Sequence, residues 1–267
     1  MKISICLLIL CAFIGISCEE VIHVDLNTGN PRYVIEADLH NLSNEQIIRI
    51  SQTVAFDKNQ GSLAVDDAVV NVISERGQIY PFQSSGNGYY RNMNFMPRPN
   101  NEYQLVVRIG NEEFTAKESM PDLVEVDSIG SLEETLFDEI SYSVLIKFSD
   151  PPHRSNYYRY LVSRNQQPFK FMQAFSDKYN DGLYVTHQLA DFNTPFALGD
   201  SILIRRQMVQ KAVFDYWNQI QMLNPGSAAP GNPKTNISNG AFGYFSVSNT
   251  KEYGLTIREY EELKLRE

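Results

Sequence analysis

Tyr103-Gln104-Leu105-Val106-Val107-Arg108-Ile109, then Gly110-Asn111, then Glu113-Phe114-Thr115-Ala116: two runs of alternating side chains flank a short turn. β-Branched and aromatic residues at period two suit a half-buried strand, and Gly-Asn between two such runs marks a tight hairpin. The same pattern extends toward the N-terminus through 33–39, 46–51, 68–73 and 88–90, with a turn at Glu75-Arg76-Gly77-Gln78. About seven short strands at this spacing predict an immunoglobulin-like β-sandwich over 31–120. Met120-Pro121-Asp122 closes that unit, and a boundary is expected between 119 and 126. Beyond it, 142–148, 157–163, 169–175, 183–189 and 201–205 read as further strands. One helix interrupts them at 209–223, where Val209, Val213, Tyr216, Trp217, Ile220 and Leu223 recur at spacings of three and four until Asn224-Pro225-Gly226 ends it. The stretch 226–243, rich in Gly, Pro and Asn, reads as a long ordered loop. Runs at 245–247 and 255–257 then close the sheet, and the charged tail 258–267 is expected to fray or form a short helix. The expectation is a mainly β protein: the sandwich, then a β-rich domain over 126–260 carrying the helix.

Composition agrees with a folded protein, since 43% of the 267 residues are hydrophobic and 21% charged. Acidic residues outnumber basic ones, 32 to 23, for a net charge of -9. That balance argues against nucleic-acid partners, because phosphate contacts need clustered Lys and Arg.

After Lys2 comes an apolar run over 3–16, shorter than the roughly 20 residues a spanning helix needs and suited to a signal-peptide core. Ser17-Cys18-Glu19-Glu20 follows, similar to the bacterial lipoprotein signal, in which a small residue precedes an acylated cysteine. Gly15 stands where that signal prefers Leu. On this reading 1–17 is removed, Cys18 is the lipidated (palmitate-type) first mature residue and 18–30 is a tether. Cys6 and Cys11 fall inside the leader, so the mature chain holds no pair for a disulfide. Two or more acyl chains would hold the protein firmly, each buried methylene contributing about 0.8 kcal/mol.

Several separated pieces resemble one family. They are Cys18-Glu19-Glu20-Val21-Ile22 with Val24-Asp25-Leu26, Val34-Ile35-Glu36-Ala37, and Ser119-Met120-Pro121 with Val126-Asp127-Ser128-Ile129. Phe148-Ser149-Asp150-Pro151, Asn156-Tyr157-Tyr158-Arg159, Leu198-Gly199-Asp200, Tyr216-Trp217, Asn236-Ile237-Ser238-Asn239-Gly240 and Gly243-Tyr244-Phe245-Ser246 follow in order. Through nearly the whole mature chain they are similar to domain-of-unknown-function family 4249 (DUF4249), a set of Bacteroidota lipoproteins. The resemblance implies an outer-membrane lipoprotein in the company of TonB-dependent receptors, and it carries over no catalytic residue. Glu19-Glu20 resembles a short form of the acidic surface-export signals of that group, which favours the cell surface slightly over the periplasmic face.

No catalytic constellation is legible. His23, His40, His153 and His187 lack metal-ligand spacing, and neither a cofactor nor a metal is expected. The run 177–182 faintly resembles a calcium loop, but Tyr179 and Gln188 stand where carboxylates belong, and a hairpin turn at Asp181-Gly182 is the favoured reading. Gly-x-Ser-x-Gly, phosphate-loop and dinucleotide patterns are missing. The ligand-binding candidates are Tyr216 and Trp217 on the helix, with Asn236 and Asn239 on the loop after it. Aromatic faces beside amides suit a glycan or peptide, while the competing view makes them anchors of helix and loop. The expected function is non-enzymatic: an accessory binding or docking lipoprotein beside a TonB-dependent receptor in nutrient uptake. A structural or adhesive envelope protein and a carboxylate-dependent hydrolase are the alternatives.

Overall fold

The computed structural model describes residues 31–54, 61–136, 139–223 and 232–265. The expected leader, Cys18 and the tether lie outside the described residues. Among those described, the strands are β1 (Tyr33–His40), β2 (Gln46–Gln52), β3 (Leu63–Ala64), β4 (Val69–Ser74), β5 (Ile79–Gly86), β6 (Tyr89–Asn92), β7 (Glu102–Ile109) and β8 (Glu112–Ser119). The second half supplies β9 (Ser128–Leu136), β10 (Glu139–Ser149), β11 (Tyr157–Arg164), β12 (Lys170–Ser176), β13 (Tyr184–Leu189), β14 (Ser201–Met208), β15 (Phe242–Thr256) and β16 (Tyr260–Lys264). One helix, α1 (Lys211–Met222), lies between β14 and β15. The described residues are mainly β with a single helix, as the alternation and the one amphipathic stretch predict.

The hairpin that opened the sequence reading is β7–β8, with Ile109 paired to Glu112 across the turn. Its inward residues Leu105, Val107, Phe114 and Ala116 meet Ile35 and Ala37 of β1, Ile48 and Ile50 of β2 and Val70 and Val72 of β4 in one core. β5 connects the two layers: Ile79 to Phe82 pair with β4, and Gln83 to Gly86 pair with β6 through a bulge. A strand that changes sheets at a bulge is a common way to turn the corner of a sandwich. The whole ladder runs β12-β11-β14-β15-β1-β2-β6-β5-β4-β7-β8, with β3 on β2, and a separate sheet runs β13-β10-β9-β16. The second core fills the space between that small sheet and β11, β14 and the end of β15, through Val144, Ile146, Phe148, Tyr158, Tyr160, Ile204 and Leu255.

Two features of the C-terminal strands differ from expectation. The runs at 245–247 and 255–257 belong to one continuous strand, β15. Its polar residues Ser248, Asn249 and Thr250, which lie between the two expected runs, are buried, as is Ser246. Most of these groups find partners in the fold: Ser248 Oγ donates to the Leu39 carbonyl at 3.3 Å, the Thr250 amide donates to Asn41 Oδ1 at 2.7 Å, and Asn249 Nδ2 donates to the Pro121 carbonyl at 3.2 Å. Where the tail is described it is neither frayed nor helical: β16 pairs with β9 as a charged edge strand, a composition that discourages further pairing.

β15 pairs in parallel with β1 over its first half and antiparallel with β14 over its second. Gly243 makes the first half possible. Its φ is 91°, and a Cβ there would lie 2.0 Å from the Ile35 carbonyl oxygen. Within the stretch 119–126, where a boundary is expected, Met120 packs in the first core and Val124 in the second. The first core also takes Ile237, Ala241, Phe245 and Val247 from the far end of the chain.

Candidate functional site

Helix α1 starts at Gln210 without a side-chain cap, and its first turn has no acidic residue to offset the dipole. Packing therefore holds it. Val213 is buried with Val209 and Tyr244, and Phe214, Tyr216 and Trp217 close over them. The Trp217 ring lies 4.5 Å from Phe171 of β12 and 5.3 Å from Tyr244 of β15, and Tyr216 lies 5.0 Å from Tyr244. Beneath Trp217, at 4.0 Å from its ring, is the guanidinium of Arg159 on β11. Arg159 is buried and donates to Asp38 Oδ2 of β1 at 2.6 Å, while Gln207 Nε2 donates to the other Asp38 oxygen at 3.3 Å. Burial acts against the Arg159 charge, but Asp38 and Tyr244 more than compensate and hold its pKa above the ordinary arginine value. Tyr216 and Trp217 thus stand together, as the sequence placed them, over an ion pair whose arginine is buried and that no local pattern signals.

Asn236 and Asn239 do not join them. Asn236 Nδ2 donates to Glu118 Oε1 at 2.7 Å and to the Phe245 carbonyl at 2.8 Å, and its Oδ1 accepts from the Phe245 amide at 2.9 Å. Its amide thus acts as an extra rung on the first half of β15. Asn239 is exposed with φ at 56°, a turn position that asparagine tolerates.

The side of α1 that carries Gln221 borders a groove of about 570 Å³. One wall is β12, the terminal strand of the large sheet, with Phe171, Met172 and Gln173; the other is the loop after β13, with Asp191, Phe192 and Asn193. Phe192 is 80% exposed at the rim, and the Gln173 amide oxygen is buried without a hydrogen-bond partner. Asp191 accepts hydrogen bonds from the Asn193 and Thr194 amides and from the Thr194 hydroxyl, which hold its carboxyl below the usual range against the effect of burial. Arg164 braces the same loop through the Thr194 and Pro195 carbonyls. Sequence reasoning passed over this groove. The available signal was Phe192, an aromatic side chain in a polar turn with no periodic neighbours.

Polar groups also run through the second core. Arg206 is buried and donates through Nε to the Tyr160 oxygen at 3.1 Å and through Nη1 to the Val124 carbonyl. The Tyr160 oxygen also shares a hydrogen bond with His187 Nδ1, 2.8 Å away. Burial, reinforced by the Arg206 charge, pushes the His187 pKa down to about 3, so the ring is neutral. The hairpin reading of 177–182 is not upheld, because β12 and β13 lie in different sheets. The connection crosses between them and carries Asp177 and Asp181 to Asp150, with one oxygen of each lying within 4.8 Å of the others. Burial, together with the Asp150 and Asp181 charges, raises the Asp177 pKa against the hydrogen bond from the Asn156 amide.

Two apolar cores, one strand common to both and a helix clasped on the edge define a mainly β protein of sandwich-like sheets. The chain belongs to the DUF4249 family, a domain of unknown function whose model matches residues 19–254. None of the curated proteins compared with it matches the chain.

Proposed function

We propose that this protein is a non-enzymatic lipoprotein, held in the outer membrane through Cys18, that binds or docks beside a TonB-dependent receptor in nutrient uptake. The observation that carries the reading is the start of the sequence: a short apolar run, a small residue and then Cys18. The family match, which begins at Glu19, is consistent with a shared region that starts where the anchor ends. No helix among the described residues is long and apolar enough to cross a membrane, so attachment on this reading depends on the acyl chains.

The groove beside α1 supports the binding half of the proposal. Phe171 and Phe192 offer ring faces, and Gln167, Gln173 and Asn193 offer amides, the combination that a glycan or an extended peptide requires. Asp191, the carboxylate on its wall, is already committed to its own loop, which favours binding over hydrolysis. Cell-surface exposure fits the two acidic residues after Cys18. In the test, cells carrying the wild type or Cys18→Ser are fed a labelled fatty acid, and membranes are split with detergent. Label and detergent-phase partitioning are expected for the wild type and lost in the variant. Label in the Cys18→Ser protein would overturn the anchor.

A further inference from the structure

Asp150 and Asp177 each extend a strand past its end. Asp150 follows β10 in the small sheet, continuing the alternation of Val144, Ile146 and Phe148 into the second core, and its amide donates to the Leu183 carbonyl at 2.9 Å. Asp177 follows β12 in the large sheet, facing Asn156, whose amide donates to Asp177 Oδ2 at 2.6 Å. Asn156 shares the parity of Tyr158 and Tyr160 on β11 and so projects into the same space. Asp181, exposed on the crossing between the sheets, completes the group.

Two buried acceptors here have no donor. Asp150 is 4% exposed and accepts from the Tyr158 hydroxyl through Oδ1, but its Oδ2 has no partner; the Asn156 Oδ1 has none either. The buried cation of this core, Arg206, directs its hydrogen bonds to Tyr160 and Val124 and makes no ion pair with Asp150 among the described residues. Buried oxygens that lack donors are costly, and a group consisting only of oxygen ligands suits a hard cation. Calcium–oxygen distances of about 2.3–2.6 Å allow two ligands of one ion to stand up to about 5 Å apart, which matches the carboxylate spacing.

We propose that Asp150, Asp177 and Asp181, with the Asn156 amide oxygen, form a calcium-class divalent-cation site that ties the small sheet to the edge of the large one. Calcium fits better than magnesium, which demands stricter octahedral geometry and gives up its water reluctantly.

The test uses the full chain in detergent after chelator treatment, with calcium, magnesium and terbium ions as probes. One equivalent of calcium should bind, with a dissociation constant of about 10⁻⁴ to 10⁻³ M as in extracellular modules, and should raise the melting temperature. Terbium excited through tyrosine should luminesce and be displaced by calcium. Asp181→Asn, at an exposed position, should melt like the wild type without metal and bind calcium at least about tenfold more weakly. No calcium-dependent change in the wild type, which would leave water as the occupant, or equal binding by Asp181→Asn would overturn the site.

Discussion

Glu118, near the end of β8, is 7% exposed and accepts a hydrogen bond from Asn236. Burial raises its pKa from 4.5 to about 7, the Asn236 hydrogen bond opposing only part of the effect. A carboxyl whose folded pKa lies above its unfolded value favours folding most when protonated. Its contribution is full below about 4.5 and is lost as the pH rises through about 7. Glu118→Gln keeps an oxygen for Asn236 to donate to and removes the charge. The variant should be more stable than the wild type near pH 8, by up to about 3 kcal/mol, with the gap closing near pH 5. Urea denaturation of both proteins at the two pH values measures this, and a gap independent of pH would contradict the assignment. The same contact bears on Asn236, whose amide links β8 to β15.

At the scale of elements, α1 is a clamp: Gln221 Oε1 accepts the Ala174 amide on β12 at 2.7 Å, and Trp217 lies over Arg159. Trp217→Ala removes ring contacts and uncovers a buried guanidinium. It should cost about 3 kcal/mol, within the range for large aromatics and cation–π partners. Trp217 is the only tryptophan, so its emission should be blue-shifted and poorly quenched by iodide in the folded wild type. A red-shifted, quenchable signal with an unchanged melting temperature would instead make it an open platform. This helix was legible because Val213, Tyr216, Trp217 and Ile220 repeat at helical spacing, and the β7–β8 hairpin because its alternation flanks Gly110-Asn111. Less could be read where local pattern and distant partner disagree. β5 hides behind Pro81, which sits in a strand that changes sheets. The polar middle of β15 looks like a loop until Asn41 and Leu39 are beside it. The crossing at 177–183 has the residues of a turn, and only the sheet order reveals that it joins two layers and carries Asp181 to Asp150. Arg159 was invisible as a site residue, since its carboxylate partner Asp38 lies far away in sequence.

For the molecule as a whole, β15 makes the two cores interdependent. Phe245 and Val247 belong to the first, Tyr253 and Leu255 to the second, and the Asp38–Arg159 pair joins β1 to β11 across the same seam. A fragment ending near Ser119 would lack Phe245 and Val247 and leave the β1 edge bare, so the first sandwich depends on the far end of the chain. Such a body, with its groove between β12 and the loop after β13, suits the binding unit proposed above. The central claim is that this unit works beside a receptor in the outer membrane. Its most direct test is to solubilise membranes gently, recover the native protein through a C-terminal tag and identify what accompanies it. The account predicts a TonB-dependent receptor in near-stoichiometric amount with the wild type and its loss with Cys18→Ser. A wild-type protein that leaves the membrane with no receptor bound would contradict it.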